Sequence, residues 1–227
     1  MIKIFNTALS SYHLVSFAFL TLLLSGCSTM LNKTPSELIK QSSQQRIEQL
    51  QQLNRWQVKG KIAFYEGSNR SSATLSWRVN ENKAQQQLNL TTYLGINVLQ
   101  LHSNANNHKI QVDGKTYHGK DLEALIHSIA GFPLPTQALS FWLKGIPYQS
   151  SDDIIYQKNT ELPHSLSSLY NNELWQVSYS NYQQFDGYNL ATKFSIKKEG
   201  LLIKISIKDW MISQEETTNN RATNIIK

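Results

Sequence analysis

The feature that most constrains the fold of this chain is a period of two in hydrophobicity, which recurs along much of its length. Residues 56–65 show it first, because apolar side chains such as Trp56, Val58 and Phe64 alternate with polar ones. Successive side chains of a β-strand point to opposite faces, so the pattern predicts a strand with one buried face. The same alternation recurs in residues 73–80, 87–91, 110–112, 175–179, 188–196 and 201–208.

Short polar segments separate several of these predicted strands. They are Glu66-Gly67-Ser68-Asn69, Asn80-Glu81-Asn82-Lys83 and Asp113-Gly114, and all are rich in the residue types that tight turns prefer. Connections this short join strands that run in opposite directions. The sequence therefore predicts an antiparallel meander of at least eight strands.

Helical periods appear in three other segments. A first helix, capped by Ser36, is predicted from the spacing of Leu38, Ile39, Ile47, Leu50 and Leu53. A second helix is predicted from Asp121 to Gly131, and a third over residues 136–144, ending at Gly145. These helices interrupt the strands without forming a separate region of the chain.

No repeat, long linker or change of composition divides residues 36–212, so a single domain is predicted there. The predicted class is α+β, with a strongly curved antiparallel sheet forming an unclosed β-barrel and helices covering its concave face. The apolar faces of helices and strands would then line an interior. Periodicity leaves open whether that interior is filled or hollow.

The chain contains one cysteine, Cys27, which follows an apolar segment that starts at Leu14. An apolar segment of about 11 residues after a short basic start is typical of a secretory signal and is too short to cross a bilayer. The order Leu24-Ser25-Gly26-Cys27 is similar to a bacterial lipobox, in which the sulfur receives a diacylglyceryl group before cleavage.

These observations predict the organisation of both ends of the chain. Residues 1–26 are predicted to be a lipoprotein signal peptide, residues 27–35 a lipidated tether and residues 213–227 a polar tail. Cys27 is expected to carry S-diacylglyceryl and N-acyl groups. Because Ser28 rather than an aspartate follows the cysteine, a lipid-anchored position in the outer membrane, facing the periplasm, is expected.

The residues carry little sign of catalysis, a metal site or nucleic-acid binding. Glycine-rich phosphate loops, a Gly-x-Ser-x-Gly motif, a His-Glu-x-x-His motif and a Cys-His pairing are all missing from the mature sequence. His127 lies opposite the apolar face of its helix, and Asp152-Asp153 lies in a polar segment, so both are predicted to be solvated. The basic residues that give the chain its net charge of +6 are scattered along predicted strand exteriors. A nucleic-acid partner is therefore not expected. No enzyme activity and no cofactor are expected.

One turn breaks the rule that turns are polar. In the segment Thr91-Thr92-Tyr93-Leu94-Gly95-Ile96-Asn97-Val98-Leu99 the alternation breaks between two predicted strands, and the break contains Tyr93, Leu94 and Ile96 around a glycine. Two interpretations follow from the residues alone. The segment is either a strand bulge that packs Leu94 inward or an apolar tip exposed to a membrane.

Several of these segments together resemble the LolB family of outer-membrane lipoprotein-insertion proteins from Gram-negative bacteria. The resemblance extends over nearly all of the mature chain. It rests on the order and spacing of the lipobox at Cys27, Trp56-Gln57-Val58-Lys59-Gly60-Lys61-Ile62-Ala63, Trp77, Leu94-Gly95, Gly131-Phe132-Pro133-Leu134-Pro135, Phe141-Trp142-Leu143-Lys144-Gly145-Ile146-Pro147, Trp175-Gln176-Val177-Ser178-Tyr179 and residues 205–210.

The resemblance implies an apolar cavity that accepts the acyl chains of triacylated lipoproteins delivered by a LolA-type periplasmic carrier. The cargo is then inserted into the inner leaflet of the outer membrane without ATP, and a monomer is expected. Tyr93, Leu94 and Gly95 match the family's membrane-insertion loop, and Leu94 is the residue expected to enter the membrane. Inward parity predicts this cavity lining: Val58, Ile62, Phe64, Leu75, Trp77, Leu88, Leu90, Leu122, Leu125, Ile126, Ile129, Phe141, Trp142, Trp175, Val177, Phe194, Ile203 and Ile205.

A hypothesis of a different class competes with this one. A lipoprotein with a solidly packed core and no ligand would act as a scaffold for other envelope components. Saturable binding of a hydrophobic dye or lipid would argue against the scaffold. The sequence leaves open which residues close the cavity and where the carrier docks.

Overall fold

The computed structural model describes residues 37–131 and 134–213. The helices are α1 Ser43–Gln51, α2 Leu122–Ala130 and α3 Thr136–Lys144. The strands are β1 Arg55–Glu66, β2 Asn69–Asn80, β3 Gln85–Thr91, β4 Asn97–Asn104, β5 Asn107–Val112, β6 Lys115–Gly119, β7 Asp153–Tyr156, β8 Pro163–Tyr170, β9 Glu173–Phe185, β10 Tyr188–Lys198 and β11 Leu201–Ile212. A short 3₁₀ turn, Glu81–Lys83, connects β2 to β3.

The strands form a single antiparallel sheet in the order β6-β5-β4-β3-β2-β1-β11-β10-β9-β8-β7. Strand β1 lies in the middle, where it pairs with both β2 and the last strand, β11. Strands β6 and β7 form the two edges, so the sheet does not close on itself. The predicted α+β class, with an unclosed antiparallel sheet and helices against one face, is confirmed.

The centre of the sheet depends on a glycine. The pairing of β1 with β11 shifts by one residue between Lys59 and Gly60, which marks a bulge. A Cβ atom added at Gly60 would lie 2.1 Å from the carbonyl oxygen of Ser206. The absence of a side chain therefore allows the two central strands to approach each other at the bulge.

The predicted position of the first helix is wrong. The helix begins at Ser43 and not after Ser36, because Ser42 and Gln45 form a reciprocal capping box: the Gln45 N–H donates to Ser42 Oγ, and the Ser42 N–H donates to Gln45 Oε1. Leu38 and Ile39 precede the helix in a segment without regular structure. The predicted positions of α2 and α3 are correct, because each ends at a glycine with positive φ, Gly131 or Gly145.

Three strands, β6, β7 and β8, were not identified from the sequence. Strand β6 at one edge has no buried residue, and β7 at the other edge has only four residues, so neither shows the alternation of a half-buried strand. Strand β8 mixes serines with its buried apolar residues. Asp153 begins β7, while Asp152 accepts hydrogen bonds from the Tyr148 and Gln149 N–H groups, so this carboxylate organises a turn instead of being merely solvated.

Candidate functional site

Residues 92–96, called here the apolar loop, join β3 to β4 and expose their large side chains. Tyr93, Leu94 and Ile96 are 92%, 82% and 63% exposed. The interpretation in which Leu94 packs inward as part of a bulge is therefore wrong. Full burial of one such side chain in an apolar medium is worth about 1.5–3 kcal/mol, so the loop would gain from contact with lipid or another apolar surface.

Hydrogen bonds within the apolar loop hold it in a defined turn. The Thr92 N–H donates to the Ile96 carbonyl at 2.8 Å, and the Gly95 N–H donates to the Thr92 carbonyl at 3.0 Å. The Thr92 hydroxyl accepts a further bond of 3.1 Å from the Ile96 N–H. Gly95 has a φ of 82°, which a residue with a side chain rarely adopts. The backbone thus presents Tyr93 and Leu94 from a fixed position.

The residues predicted to line a cavity lie together in one apolar interior between the sheet and the helices. Leu125, Ile129 and Phe141 are partly buried there. The rest of the predicted lining is buried: Val58, Ile62, Phe64, Leu75, Trp77, Leu88, Leu90, Leu122, Ile126, Trp142, Trp175, Val177, Phe194, Ile203 and Ile205. The predicted inward register of the strands agrees with this burial. Their role as a ligand-binding surface remains a prediction.

Aromatic contacts connect helix α3 to the interior face of the sheet. The Trp142 ring lies 5.8 Å from that of Trp175 and 6.1 Å from that of Tyr170, measured between ring centroids. Trp142 and Trp175 are both buried. Offset and edge-on aromatic pairs contribute favourably beyond the area that they bury. Helix α3 therefore packs against this part of the sheet through the aromatic ring of Trp142.

A buried arginine joins helix α1 to the end of α3. The Arg46 guanidinium donates to the carbonyl oxygens of Lys144 at 2.7 Å, Gly145 at 3.0 Å and Asn189 at 3.2 Å. Burial lowers the pKa of Arg46, while the neighbouring Tyr182 and Tyr179 side chains oppose that shift. The positive charge lies at the C-terminus of α3, where carbonyl groups without helical partners favour a cation.

A second buried cation, Lys144, holds the end of the same helix. Lys144 Nζ lies 2.9 Å from Glu81 Oε1 and donates to the Leu53 carbonyl at 3.2 Å. Burial lowers the pKa of Lys144, and the Glu81 carboxylate raises it. Helix α3 is thus attached through charged groups to α1, to β10 and to the turn after β2.

A crevice of about 330 Å³ opens between the helices and the sheet. Val79, Leu122, Phe141 and Tyr148 give it apolar walls, and Gln86 and Thr136 form a polar bridge of 3.2 Å inside it. It lies at the start of β3, at the opposite end of that strand from the apolar loop. This opening connects solvent with the margin of the apolar interior.

The polar residues that hold the helices are not visible as such in the sequence. Arg46 lies in a helix rich in glutamine and Lys144 ends an amphipathic one, and both positions are typical of solvent-facing residues. Their carbonyl partners are distant in sequence, so no local pattern reveals them. The predicted lipid-attachment residue, Cys27, lies outside the described residues.

The described residues add no metal or membrane-spanning element. No group of His, Cys, Asp or Glu side chains in residues 37–131 and 134–213 is arranged to hold a metal ion. His127 is exposed, as predicted, whereas His108 is buried and its Nδ1 lies 2.8 Å from Ser103 Oγ. Among the helices that the structure describes, none combines the length and the apolar character needed to cross a bilayer.

Comparisons with known proteins identify relatives of this chain. The family described as "Outer membrane lipoprotein LolB" matches residues 54–210, a range that contains the apolar loop, α2 and α3. "Outer-membrane lipoprotein LolB" of Aeromonas salmonicida is 31% identical over 194 residues, which cover 85% of this chain and 93% of the relative. The protein of the same name from Pseudoalteromonas translucida is 33% identical over 161 residues, covering 70% and 76%.

The chain also matches solved structures at low sequence identity. A LolA superfamily protein from Nitrosomonas europaea is 9% identical, with a TM-score of 0.49 over 78% of this chain and 96% of that chain. A similarity of this size carries no information on function.

Proposed function

This chain belongs to the LolB family of outer-membrane lipoproteins, and from that membership we propose that it receives acylated lipoproteins and inserts them into the outer membrane. Its donor is a LolA-type periplasmic carrier, and its cargo is a triacylated lipoprotein. The cargo enters the inner leaflet of the outer membrane. The protein itself is held there by lipid on Cys27 and acts as a monomer facing the periplasm.

The observation that carries this proposal is the exposure of the apolar loop. Leu94 is 82% exposed on a turn whose backbone is fixed by internal hydrogen bonds. Such an arrangement is costly in water and favourable at a lipid surface. A lipid anchor on Cys27 would keep the domain close to that surface, which makes repeated insertion of Leu94 between lipids possible.

The apolar interior supplies the second requirement, a place for acyl chains. Transfer of an acyl chain out of water is worth about 0.8 kcal/mol per methylene, so an unshielded triacylated protein cannot remain in the periplasm. The buried inward side chains of the sheet and helices provide a surface for those chains, and the crevice at Val79, Leu122 and Phe141 provides an entrance. Entry requires α2 and α3 to move apart, because the interior is occupied by packed side chains.

Transfer in this scheme needs no nucleotide. The interior must bind acyl chains more favourably than the donor carrier does and less favourably than the bilayer does. Each step is then downhill in free energy, and the difference in affinity sets its direction. The fixed apolar loop acts at the last step, where it brings the loaded protein into contact with the bilayer.

The proposal is tested with the full lipidated protein in vesicles and a carrier loaded with a triacylated lipoprotein. Leu94→Glu is expected to receive cargo normally, as measured by cross-linking, and to lower transfer into the bilayer by about tenfold. Ile155→Glu is the matched control, because Ile155 is also exposed, at 58%, but lies on edge strand β7. Equal transfer by the wild type and by Leu94→Glu would rule out the proposed role of the apolar loop in insertion.

A scaffold lipoprotein without a ligand is the second candidate. The dense packing of buried aromatic rings around Trp142 and Trp175 favours it, since a packed core needs no ligand for stability. The same vesicle experiment separates the two functions. If the cargo stays on a carrier that delivers it to a known receptor, the interior does not accept acyl chains and the scaffold is the better description.

A further inference from the structure

A second exposed apolar feature lies far from the apolar loop in sequence. Leu169 at the end of β8 and Leu174 at the start of β9 are 60% and 56% exposed. They face each other directly across the two strands. Their neighbours Ser168, Tyr170 and Trp175 are buried on the other face, so the hairpin has an apolar exterior as well as an apolar interior. We call Leu169 and Leu174 the leucine pair.

The register of the sheet places the leucine pair at the same end as the apolar loop. The turns between β8 and β9, between β10 and β11, and between β1 and β2 all lie at one end of the sheet. The strand pairings establish this, because they connect Tyr170 at the first turn with Lys198 at the second and Glu66 at the third. Strand β3 runs back towards that end, because Thr91 pairs with Thr74 of β2, and the apolar loop follows Thr91 directly. We call this end of the sheet the loop end.

The hairpin that carries the leucine pair is fixed to the body of the domain. Tyr170 Oη donates to Glu123 Oε1 at 2.7 Å, and Asn171 Nδ2 donates to Glu123 Oε2 at 3.0 Å. Both donors lie between the two leucines in sequence, and Glu123 lies in the first turn of α2. The leucine pair is therefore presented from a constrained position, as Leu94 is.

We propose that the leucine pair is a second membrane contact, which binds the phospholipid surface together with the apolar loop. The inference rests on the proposed function, because it takes the loop end as the part of the domain that faces lipid. Two apolar contacts on different strands would fix the orientation of the sheet on the bilayer, whereas a single loop allows rotation about its own axis.

The charges around the leucine pair are balanced and so do not repel a phospholipid surface. Lys197 is exposed on β10 opposite Gln176, which is the next outward residue of β9 after Leu174. The Glu173 carboxylate is paired with Lys198 and so presents no free negative charge there. Glu199 in the adjoining turn carries the opposite charge to Lys197, so apolar contact is the principal attraction and phosphate binding by Lys197 adds to it.

Membrane contact is measured by fluorescence on the full lipidated protein in vesicles of neutral and anionic phospholipid. Cys27 is the only native cysteine, and in the lipidated protein its sulfur is occupied, so a cysteine introduced at one position can be labelled alone. An environment-sensitive dye is attached to Leu174→Cys, Leu94→Cys or Ile155→Cys, and nitroxide-labelled lipids are used as quenchers. Ile155 is the matched control. It pairs with Ser165, which lies four residues before Leu169 along β8 and so farther from the loop end.

Quenching of the dye at positions 174 and 94, with the dye at position 155 at least threefold less quenched, is the expected result. Quenching at position 94 alone would overturn the second contact and leave the proposed function intact. Quenching at neither position would overturn both. A blue shift at position 174 that depends on protein concentration and not on vesicles would assign the leucine pair to contact between copies of this chain instead.

Cargo transfer gives an independent measurement. The double variant Leu169→Glu/Leu174→Glu is expected to lower transfer into vesicles by about tenfold while cross-linking to cargo remains normal. Ile155→Glu controls for an added charge on the outer face of the sheet. Unchanged transfer by the double variant, with Leu94→Glu defective, would overturn the role of the leucine pair alone.

Discussion

Tyr170 donates a hydrogen bond of 2.7 Å to Glu123, and this bond joins the β8–β9 hairpin to the first turn of helix α2. Asn171 donates to the other oxygen of the same carboxylate. One side chain therefore connects the helix over the apolar interior with the hairpin that carries the leucine pair. A movement of α2 away from the sheet has to break these bonds or carry the hairpin with it.

Removal of the Tyr170 hydroxyl tests the strength of this connection. Tyr170→Phe is expected to lower the free energy of unfolding by about 1.5–3 kcal/mol, because a bond to a charged acceptor is lost. Glu123→Gln should give a loss of similar size, and the double variant should lose less than the sum of the two. Urea unfolding monitored by tryptophan fluorescence measures all three. Strictly additive losses would show that the two side chains do not interact in solution.

The pH dependence of stability should report on the same carboxyl group. Burial raises the pKa of Glu123 above its ordinary value, and the bonds from Tyr170 and Asn171 oppose the shift. With a raised pKa, the folded state binds the proton more tightly than the unfolded state does. The resulting stabilisation is fully present below the ordinary carboxyl pKa and is lost as the pH rises through the folded-state pKa.

The wild type should therefore gain stability relative to Glu123→Gln as the pH is lowered from about 7 to about 4. The difference in unfolding free energy between the two proteins removes the contribution of the other carboxyl groups. Urea unfolding at several pH values measures that difference. A difference that stays constant, or that shrinks towards acid pH, would contradict the direction of the pKa shift.

Arg46 should resist conservative replacement. The guanidinium donates to three carbonyl oxygens on α3, the residue after it and β10, and a lysine ammonium cannot span all three from one position. Arg46→Lys is expected to cost about 1–3 kcal/mol of stability because a buried acceptor loses its donor. Arg46→Met should cost more, and Gln44→Met on the exposed face of the same helix is its control. An equal loss for the methionine and lysine variants would show that charge is unimportant there.

The sequence predicts much of the sheet and little of what attaches the helices to it. Strands β1, β2 and β11 alternate over most of their length because one face is buried, and α3 ends at Gly145, so these elements are visible in the local sequence. The capping box at Ser42 and Gln45 is also local, but the apolar residues Leu38 and Ile39 before it imitate the start of a helix.

Long-range contacts account for the features that sequence analysis missed. Asn189 is buried because its amide accepts from the Ile39 N–H and donates to the Ile39 carbonyl, 150 residues away. Leu169 and Leu174 belong to a hairpin that was not identified, and their exposure depends on its register in the sheet. The apolar loop differs, because its composition alone departs from that of an ordinary turn.

The ion pair between Lys144 and Glu81 provides a test of how α3 is held. The Lys144 side chain is fully buried, while that of Glu81 is 21% exposed. Lys144→Met should lower the unfolding free energy by about 2–4 kcal/mol, because the Glu81 carboxylate and the Leu53 carbonyl both lose their donor. The double variant Lys144→Met/Glu81→Gln should regain at least half of that loss, since an apolar replacement of a whole buried pair is often neutral. Denaturant unfolding of the wild type, of the single variants Lys144→Met and Glu81→Gln, and of the double variant completes the double-mutant cycle. A double variant as unstable as Lys144→Met would mean that the lysine acts through Leu53 and the α3 terminus, and not through Glu81.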